Sequence, residues 1–542
     1  MATSSQRAWR AACPNCGAPV EFLSAASASA VCSFCRSTLV RDGESLRKIG
    51  VSAEVFDDFT PLAIGASGTY QGTSFMLVGR LQFGTDDGPW NEWHALFDNG
   101  RSGWLSEDNG RYVFAFDAPT PADAPRPERL QAGANVTVDG RPWSVASVVQ
   151  AKLLAAQGEL VQPPPADRAI VISDLRNTAD EVATLEAIDA ATLVWSIGKP
   201  VRLADLKMSG LREDVIGGGG GGPGEKTLKA QSPPCPNCGA PLKITLASTQ
   251  SVVCDSCKSV VDLSKGIGPD MAHYAQLNRM EPGIPLGRTG TLPIPSGAPA
   301  LPWQVVGYME RMELMEGASD EAEAWREYLL YNRNEGFAFL VDTNEGWSVV
   351  RVLTGVPEVR GDQATWYGTR YQRRWTYTSE NTYVLGEFYW KVEAHQRTQH
   401  QDYEGSASGH RAFLSMEHTP NETTWSAGES IPAPMVASVF GLAPAEAAQL
   451  QRGGGGGGPP PLGSLVGPGR MITWPTLIVL LIVIILLLAW CSHDPCSNER
   501  RAFGAYSPEY QQCKARSAAG TGSYYGTGGA WGGYSSGGGG HK

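Results

Sequence analysis

The segment Cys13-Pro-Asn-Cys16-Gly17, followed by Cys32-Ser-Phe-Cys35, decides how this chain begins to fold. The same arrangement returns as Cys235-Pro-Asn-Cys238-Gly239 and Cys254-Asp-Ser-Cys257, again with fifteen residues between the two cysteine pairs. The spacing C-x2-C-x15-C-x2-C is typical of a zinc ribbon, in which two tight turns present four thiolates to one ion. We therefore predict two structural zinc ions, one held by Cys13, Cys16, Cys32 and Cys35 and the other by Cys235, Cys238, Cys254 and Cys257.

The small size of such a ribbon favours a bound metal. About 30 residues cannot bury enough apolar surface to fold alone, whereas zinc binding supplies on the order of 10–16 kcal/mol. Disulfides, a redox CxxC pair and rubredoxin-like iron are the alternatives, and the repetition of the spacing argues against the first two. Because four cysteines complete the coordination sphere, we expect a structural zinc, not a catalytic one.

The similarity between the two halves extends beyond the cysteines. Corresponding cysteines lie 222 residues apart, and three short landmarks recur in the same order at offsets of 228 to 235. Such recurrence with small length differences indicates an internal duplication. The landmark pairs are Trp90-Asn-Glu92-Trp93 with Trp325-Arg-Glu327-Tyr328, Gly158-Glu159-Leu160 with Gly386-Glu387-Phe388, and Trp195-Ser-Ile-Gly198 with Trp425-Ser-Ala-Gly428.

The region after each ribbon is predicted to be mainly β. Short runs such as 75–83, 111–116 and 375–378 are rich in aromatic and β-branched residues, and Asp-Gly or Asn-Gly turns separate them. Helical periodicity is weaker, at 151–157 and 434–451. We predict a mainly β fold of two tandem units, each a four-cysteine zinc ribbon plus a small antiparallel β barrel or sandwich, followed by one transmembrane helix.

Glycine runs at 217–222 and 453–458 indicate flexible joints between these parts. The predicted organisation is zinc ribbon 1 at 10–42, β-rich domain 1 at 53–212, a Gly-rich linker at 213–232, zinc ribbon 2 at 233–263, β-rich domain 2 at 281–445, a Gly/Pro-rich linker at 446–470, a transmembrane helix at 471–491 and a Gly/Ser/Tyr-rich tail at 492–542.

One segment near the C-terminus predicts a single membrane span. Residues 472–491 carry no charge and include twelve consecutive aliphatic residues at 477–488. A helix of about 20 residues crosses a hydrocarbon core of roughly 30 Å. Trp474 and Trp490 lie near its ends, where interfacial tryptophans are found.

The orientation of that span follows from redox chemistry more than from charge, because arginines lie on both sides of it. The N-terminus lacks an apolar run typical of a signal peptide, and thiolate ligands require a reducing compartment. We expect a cell-membrane protein with cytoplasmic N-terminal domains and an outward tail. In that tail Cys496 and Cys513 are a possible disulfide, and 520–542 is predicted to be disordered.

Catalysis and nucleic-acid binding both lack support in the sequence. The net charge of −11 opposes a phosphate-binding surface. Aromatic and arginine residues alternate over 366–390, which favours opposite faces of one sheet over a nucleic-acid stacking platform. No catalytic motif is found, and the histidine spacing fits no metal motif. We therefore interpret the histidines of this region as exposed loop residues: His395, His400, His410 and His418.

With its ribbons and landmark motifs, the chain resembles a bacterial family, the domain of unknown function DUF4178. The resemblance covers most of 13–211 and 235–442, together with the C-terminal apolar helix and its glycine-rich tail. Members of that family commonly lie near genes for polyamine synthesis and small membrane proteins, which implies a membrane or envelope-stress role. The resemblance transfers no catalytic residue.

These observations lead to one main functional hypothesis and two alternatives. The main hypothesis is a membrane-anchored adaptor or scaffold, not an enzyme, that binds a protein partner through zinc-stabilised modules. The first alternative is a sensor of a small cationic ligand such as a polyamine, prompted by the acidic net charge. The second is an enzyme that uses the histidine-containing segment.

Overall fold

The computed structural model describes residues 9–450, apart from 24–26, 43–44, 53–59, 86–87, 109, 165–168, 213–231, 246–248, 264–270, 277–280, 315–322, 333–334 and 408. The predicted transmembrane helix, the predicted pairing of Cys496 with Cys513, the tail and most of both linkers lie outside these residues. Within them, no helix is long and apolar enough to cross a membrane.

The first half consists of β-strands, with two short 3-10 helices at Pro127–Arg129 and Leu203–Leu206. The ribbon strands are β1 Trp9–Ala12, β2 Pro19–Phe22, β3 Ser29–Val31, β4 Ser37–Asp42 and β5 Ser45–Val51. The domain strands are β6 Ser67–Tyr70, β7 Thr73–Thr85, β8 Gly88–Phe97, β9 Ser102–Asp108, β10 Arg111–Ala118, β11 Asn135–Val138, β12 Arg141–Leu160, β13 Ile170–Arg176, β14 Val182–Ala187 and β15 Leu193–Val201.

The second half repeats this order and ends in two short helices, α1 Ala433–Val439 and α2 Pro444–Gln449. The ribbon strands are β16 Ser251–Val253, β17 Val260–Asp262 and β18 His273–Tyr274. The domain strands are β19 Thr289–Pro293, β20 Ala300–Glu313, β21 Ala324–Asn332, β22 Gly336–Thr343, β23 Gly346–Val352, β24 Glu358–Arg360, β25 Gln363–Trp366, β26 Thr369–Phe388, β27 Arg397–Ala407, β28 His410–His418 and β29 Thr423–Ile431.

The strand pairings of each domain form a circuit of eight antiparallel strands. In the first domain β7, β8, β9, β10, β15, β14, β13 and β12 pair in that order, and β12 pairs again with β7. In the second domain β20, β21, β22, β23, β29, β28, β27 and β26 repeat the order, and β26 pairs with β20. The internal duplication predicted from the landmarks is therefore visible strand by strand.

Turn chemistry follows the sequence closely at one hairpin. Asp139 and Gly140 join β11 to β12, and both have positive φ angles, 53° and 68°. A two-residue turn with two left-handed residues matches the right-handed twist of the strands it connects. The predicted turn is confirmed, and its glycine is needed because few other residues adopt this conformation without strain.

One helix prediction is wrong and one is confirmed. Residues 151–157 lie inside the twenty-residue strand β12, which pairs with β13 along its first part and with β7 along its second. Ladder hydrogen bonds to two neighbours override a weak helical pattern in an alanine-rich segment. The second predicted helical region, 434–451, contains α1 and α2, which are separated at Gly441 by a positive φ of 59°.

The two domains contact each other directly. The backbone N–H of Val148 in β12 donates to the carbonyl of Asn421 at 3.0 Å, and Ser147 forms an isolated bridge with Glu422. A Cβ on Gly110 would lie 2.4 Å from the Cα of Gly336. The duplicated domains therefore pack backbone against backbone at these points, and the approach of Gly110 to Gly336 leaves no room for a Cβ at position 110.

Candidate metal centres and a buried polar cluster

Each cysteine pair lies in a tight knuckle with the same backbone pattern. In the first ribbon, Gly17 N–H donates to the carbonyl of Cys13 and Arg36 N–H to that of Cys32, both at 2.8 Å. Gly17 and Arg36 have positive φ angles of 74° and 56°. The second ribbon repeats this pattern at Gly239 and Lys258. These turns direct both sulfurs of a knuckle to the same side.

The eight predicted ligands gather into two four-sulfur clusters. Within each cluster the sulfurs all lie within 4.8 Å of one another. The Sγ–Sγ distances are 3.6 Å for Cys13 with Cys35 and 3.7 Å for Cys16 with Cys32. Tetrahedral coordination with metal–sulfur bonds of about 2.3 Å requires sulfur separations of about 3.8 Å. Each cluster can therefore hold one metal ion with little rearrangement.

Hydrogen bonds favour the thiolate form at one cysteine of each ribbon. The Ser37 hydroxyl and backbone N–H lower the pKa of Cys35 to about 5. Burial raises the pKa of Cys257, but Ser259 and Asn237 outweigh it and lower that pKa to about 5. At Cys16 the Ala18 N–H lowers the pKa, but the Cys35 sulfur, desolvation and the other two sulfurs outweigh it and raise that pKa to about 12. Four adjacent sulfurs ionise together only beside a cation, so the donor set fits a metal ion.

A buried glutamate joins each ribbon to its domain, and both glutamates belong to the Gly-Glu landmark. Strand β3 pairs with the end of β12, so that Ala30 is opposite Glu159. The Glu159 carboxylate accepts a hydrogen bond from the backbone N–H of Leu23. In the second half Glu387 accepts from the N–H of Thr245 at 2.9 Å and from the hydroxyls of Thr245 and Thr249. Each carboxylate thus binds the loop that leads from the first knuckle to the second.

The glycine before each glutamate allows two strands to approach closely. Gly158 pairs with Gly79, and Gly386 pairs with Gly307, at the same place in both circuits. A Cβ on Gly158 would lie 2.2 Å from the Val78 carbonyl oxygen. A Cβ on Gly386 would lie equally close to the Val306 carbonyl oxygen. The glycine of the Gly-Glu landmark is therefore required because no side chain fits between the two strands where the ribbon joins the domain.

The Trp-x-Glu landmark of the second domain belongs to a buried charged cluster. Trp325 donates its indole N–H to Glu327 at 2.7 Å. The buried guanidinium of Arg311 lies 3.2 Å from a Glu417 oxygen and 3.5 Å from a Glu327 oxygen. Its other terminal nitrogen is 2.9 Å from the Ser379 hydroxyl and 3.1 Å from Nε2 of His400. The charges are thus held inside the strand circuit, away from solvent.

Burial sets the protonation of this cluster. It lowers the pKa of His400 well below its ordinary value, and Arg311 lowers that pKa further. Burial also raises the pKa of Glu417 to about 8, aided by Glu327 and Asp402, although Arg311 opposes the change. Near neutral pH the histidine is therefore neutral and Glu417 is largely protonated.

The first domain has apolar side chains at the positions of Arg311 and His400, whereas it keeps glutamates, Glu92 and Glu186, at the positions of Glu327 and Glu417. Phe83 pairs with Trp90 as Arg311 pairs with Trp325, so Phe83 is the counterpart of Arg311. Ile172 pairs with Glu186 as His400 pairs with Glu417, so Ile172 is the counterpart of His400. Phe83 and Ile172 belong to an apolar cluster with Trp90, Val149 and Ala151. The two copies share a frame but differ in their interior chemistry.

The exposed-loop interpretation of the histidines is wrong for His400, which is buried in β27. The loop assignment is also wrong for His410 and His418, which are the first and last residues of β28. His395 and His410 are exposed, and His418 is half-buried with its Nδ1 2.8 Å from the Thr423 hydroxyl. The four histidines therefore form no common site. Arg311 and Glu417 could not be recognised from the sequence, because an isolated arginine and an isolated glutamate in two distant strands form no motif.

The aromatic and arginine segment 366–390 lies largely in β26 and follows the predicted alternation in part. Tyr371 is buried, whereas Arg370 and Arg374 are exposed. A bulge interrupts the pairing between Arg373 and Trp375. Arg374 is 3.3 Å from a Glu404 oxygen, and Arg373 also forms an ion pair, with Asp362. Acidic partners thus accompany these two arginines.

The described residues define a class of protein: a tandem of antiparallel β domains, each continuous with a four-cysteine site that could hold a metal ion. The family model for the domain of unknown function DUF4178 matches residues 63–203 and 300–433, just over half of the chain. The chain belongs to this family and carries its domain twice. No curated protein and no solved structure matches the chain.

Proposed function

We propose that this protein is a membrane-anchored adaptor in which two zinc ribbons and two DUF4178 domains form a platform for a protein partner. The platform faces the cytosol, and the helix at 471–491 anchors it. The bound ions are zinc, since four thiolates at tetrahedral spacing suit a borderline-soft cation without redox chemistry. The reducing cytosol keeps the sulfurs available as ligands.

The observation that supports this proposal is that each candidate metal site consists of four cysteine sulfurs. Four sulfurs around one ion leave no position for a substrate or a catalytic water. Each ribbon is also part of the same sheet as its domain, through the pairing of β3 with β12 and of β16 with β26. A metal ion that holds a small module rigidly against a larger sheet has a structural role, and a binding platform requires such a rigid surface.

The circuits of paired strands support the barrel alternative over the sandwich. A sandwich keeps two separate sheets, whereas each circuit here returns to its first strand. The interior of the second circuit is occupied by the Arg311 cluster. Such an interior favours a rigid structural element over a ligand-filled cavity.

The alternative of a polyamine sensor finds little support in a groove on the first domain. It has a volume of about 500 Å³ and is lined by 118–121, Asp139, Arg141, Trp195 and Ile197. Arg141 lies 3.8 Å from Asp139 and 3.0 Å from Glu181. A guanidinium that already neutralises these carboxylates competes with a cationic ligand.

Mass measurement of the full chain released from native membranes tests the adaptor proposal. We expect a stoichiometric second polypeptide in complexes with the wild-type protein. A Cys32→Ser, Cys254→Ser variant, which disrupts both metal sites, should lose that polypeptide while remaining in the membrane fraction. An Arg374→Ser variant on an exposed face serves as the matched control. A protein that is solitary in every preparation would contradict the proposal.

A further inference from the structure

The two ribbons differ at the surface beside their second knuckle. In ribbon 1, Phe34 lies between the two cysteines of that knuckle and is 73% exposed. Val51, at the end of edge strand β5, is 63% exposed, and Ile49 is 43% exposed. Val51 pairs with Ser37, and Ser52 N–H donates to the Arg36 carbonyl at 2.8 Å. The strand end therefore lies beside the knuckle, and the three apolar side chains occupy one region of the ribbon.

Ribbon 2 lacks these apolar side chains at the corresponding positions. Its second knuckle has Ser256 where ribbon 1 has Phe34. Val260 pairs with Tyr274, which places Ala275 at the position of Val51. Val261 pairs with His273, as Leu39 pairs with Lys48. Both ribbons keep the metal site, so the metal does not require the apolar residues of ribbon 1.

Basic side chains accompany the apolar ones. Arg47 and Lys48 are exposed on β5, and Arg36 is exposed at the end of the knuckle. The Lys48 ammonium also donates to Asn15 at 2.9 Å. A protruding aromatic ring beside aliphatic and basic side chains matches the interface of an anionic bilayer, where rings lie at the headgroup level and cations meet lipid phosphates.

We propose that the ribbon 1 surface formed by Phe34, Arg36, Arg47, Lys48, Ile49 and Val51 binds the anionic headgroup layer of a membrane. The inference rests on the proposed membrane anchor, which keeps this surface near a bilayer. A lipid surface is favoured over a peptide because Phe34 and Val51 protrude into solvent, as insertion into a headgroup layer requires. The anchor and this surface together give the protein two attachments to the same membrane.

Photo-crosslinking of the full chain in lipid nanodiscs tests this surface. A benzoylphenylalanine replaces Phe34 in one variant and Ser256, the matched position of ribbon 2, in the other. We expect lipid adducts at position 34 in discs that contain phosphatidylglycerol, fewer in phosphatidylcholine alone, and few at position 256. Arg47→Ser and Lys48→Ser should each lower the adduct yield by roughly fivefold. Metal content at the wild-type level reports an intact ribbon.

Alkaline extraction of native membranes separates this inference from the anchor proposal. A chain that resists extraction but gives equal adducts at positions 34 and 256 retains its anchor and overturns the lipid surface. A chain that is extracted but still gives lipid adducts at position 34 on phosphatidylglycerol vesicles loses the anchor and keeps the surface. Adducts at position 34 with a polypeptide in native membranes, in place of lipid, would also overturn it.

Discussion

The buried guanidinium of Arg311 offers a sharp test of the second domain. We consider Arg311→Met, which keeps the length of the aliphatic side chain and removes the charge. The guanidinium lies within 3.5 Å of carboxylate oxygens of Glu327 and Glu417, and it also bonds with Ser379 and His400. The substitution therefore leaves a buried glutamate without its main counter-charge.

The expected cost follows from that geometry. Removing one member of a buried ion pair costs about 3–5 kcal/mol, most of which comes from the charge left behind. The raised pKa of Glu417 lets that carboxyl remain protonated, so Glu327 carries most of the penalty. Adding Glu327→Gln removes the stranded charge and keeps an acceptor for the Trp325 indole. We expect the double variant to recover about half of the loss or more.

Hydrogen exchange of the full chain measures this effect locally. Peptides from 369–388 and 397–418 should lose about 3–5 kcal/mol of opening free energy in Arg311→Met. Peptides from 141–160 and 170–187 supply an internal control, because the first domain has Phe83 and Ile172 in place of Arg311 and His400. A loss below about 1 kcal/mol, or an equal loss in both domains, would refute the assignment of a buried ion pair.

Three further predictions concern the metals, the pH dependence and the ribbon junction. Metal analysis should find two zinc ions per chain, and Cys32→Ser should remove about one of them. Because burial raises the folded-state pKa of Glu417 to about 8, protonated Glu417 contributes to the free energy of unfolding at low pH, and this contribution is lost as the pH rises from about 4.5 to 8. Glu417→Gln should abolish this part of the dependence of the free energy of unfolding on pH. Gly386→Ala should lower the free energy of unfolding by about 2 kcal/mol or more and accelerate metal release from ribbon 2 to a chelator, because the new Cβ would overlap the Val306 carbonyl. Gly361→Ala is the control, because Gly361 also has a positive φ but has open space around it. Unchanged release in both glycine variants would contradict the steric argument.

The cysteine clusters were predictable because their chemistry lies in short-range spacing. A knuckle needs two sulfurs three residues apart and a left-handed residue after it, and Gly17 and Gly239 met that need in the sequence. The duplication was equally visible, since its landmarks recur in order. The physical role of the Gly-Glu landmark was not visible, because the partners of Glu159 and Glu387 lie more than 130 residues away.

The buried cluster escaped prediction for a different reason. Strand β27 does alternate, with Thr398, His400 and Asp402 buried in turn. Hydrophobic periodicity detects such a strand only when its buried face is apolar. Here the buried face is polar, so the sequence of β27 resembles that of a solvated loop. Its polar partners, Arg311 in β20 and Glu417 in β28, lie in other strands. The helix prediction at 151–157 is wrong for a related reason. The alanines of this segment pair with β7 and β13, and the sequence of the segment alone does not reveal these partners.

The two copies differ both inside the strand circuit and at the ribbon surface, and these differences indicate separate roles. In the first copy, Phe83 and Ile172 of an apolar cluster replace Arg311 and His400, and the ribbon has an apolar and basic surface around Phe34. The second copy has a charged interior around Arg311 and a polar counterpart, Ser256, at its ribbon surface. A frame that accepts Phe83 and Ile172 at these two positions does not itself require an arginine and a histidine there, so Arg311 and His400 serve something particular to the second domain. Ala151 pairs with Ile170 as Ser379 pairs with Thr398, so Ala151 is the counterpart of Ser379. Replacing Arg311, Ser379 and His400 together by their first-domain counterparts, Phe, Ala and Ile, should therefore leave the metal content at two ions and the adducts at position 34 unchanged. Loss of lipid adducts in that variant would show that the two copies act as one unit and would refute a division of roles.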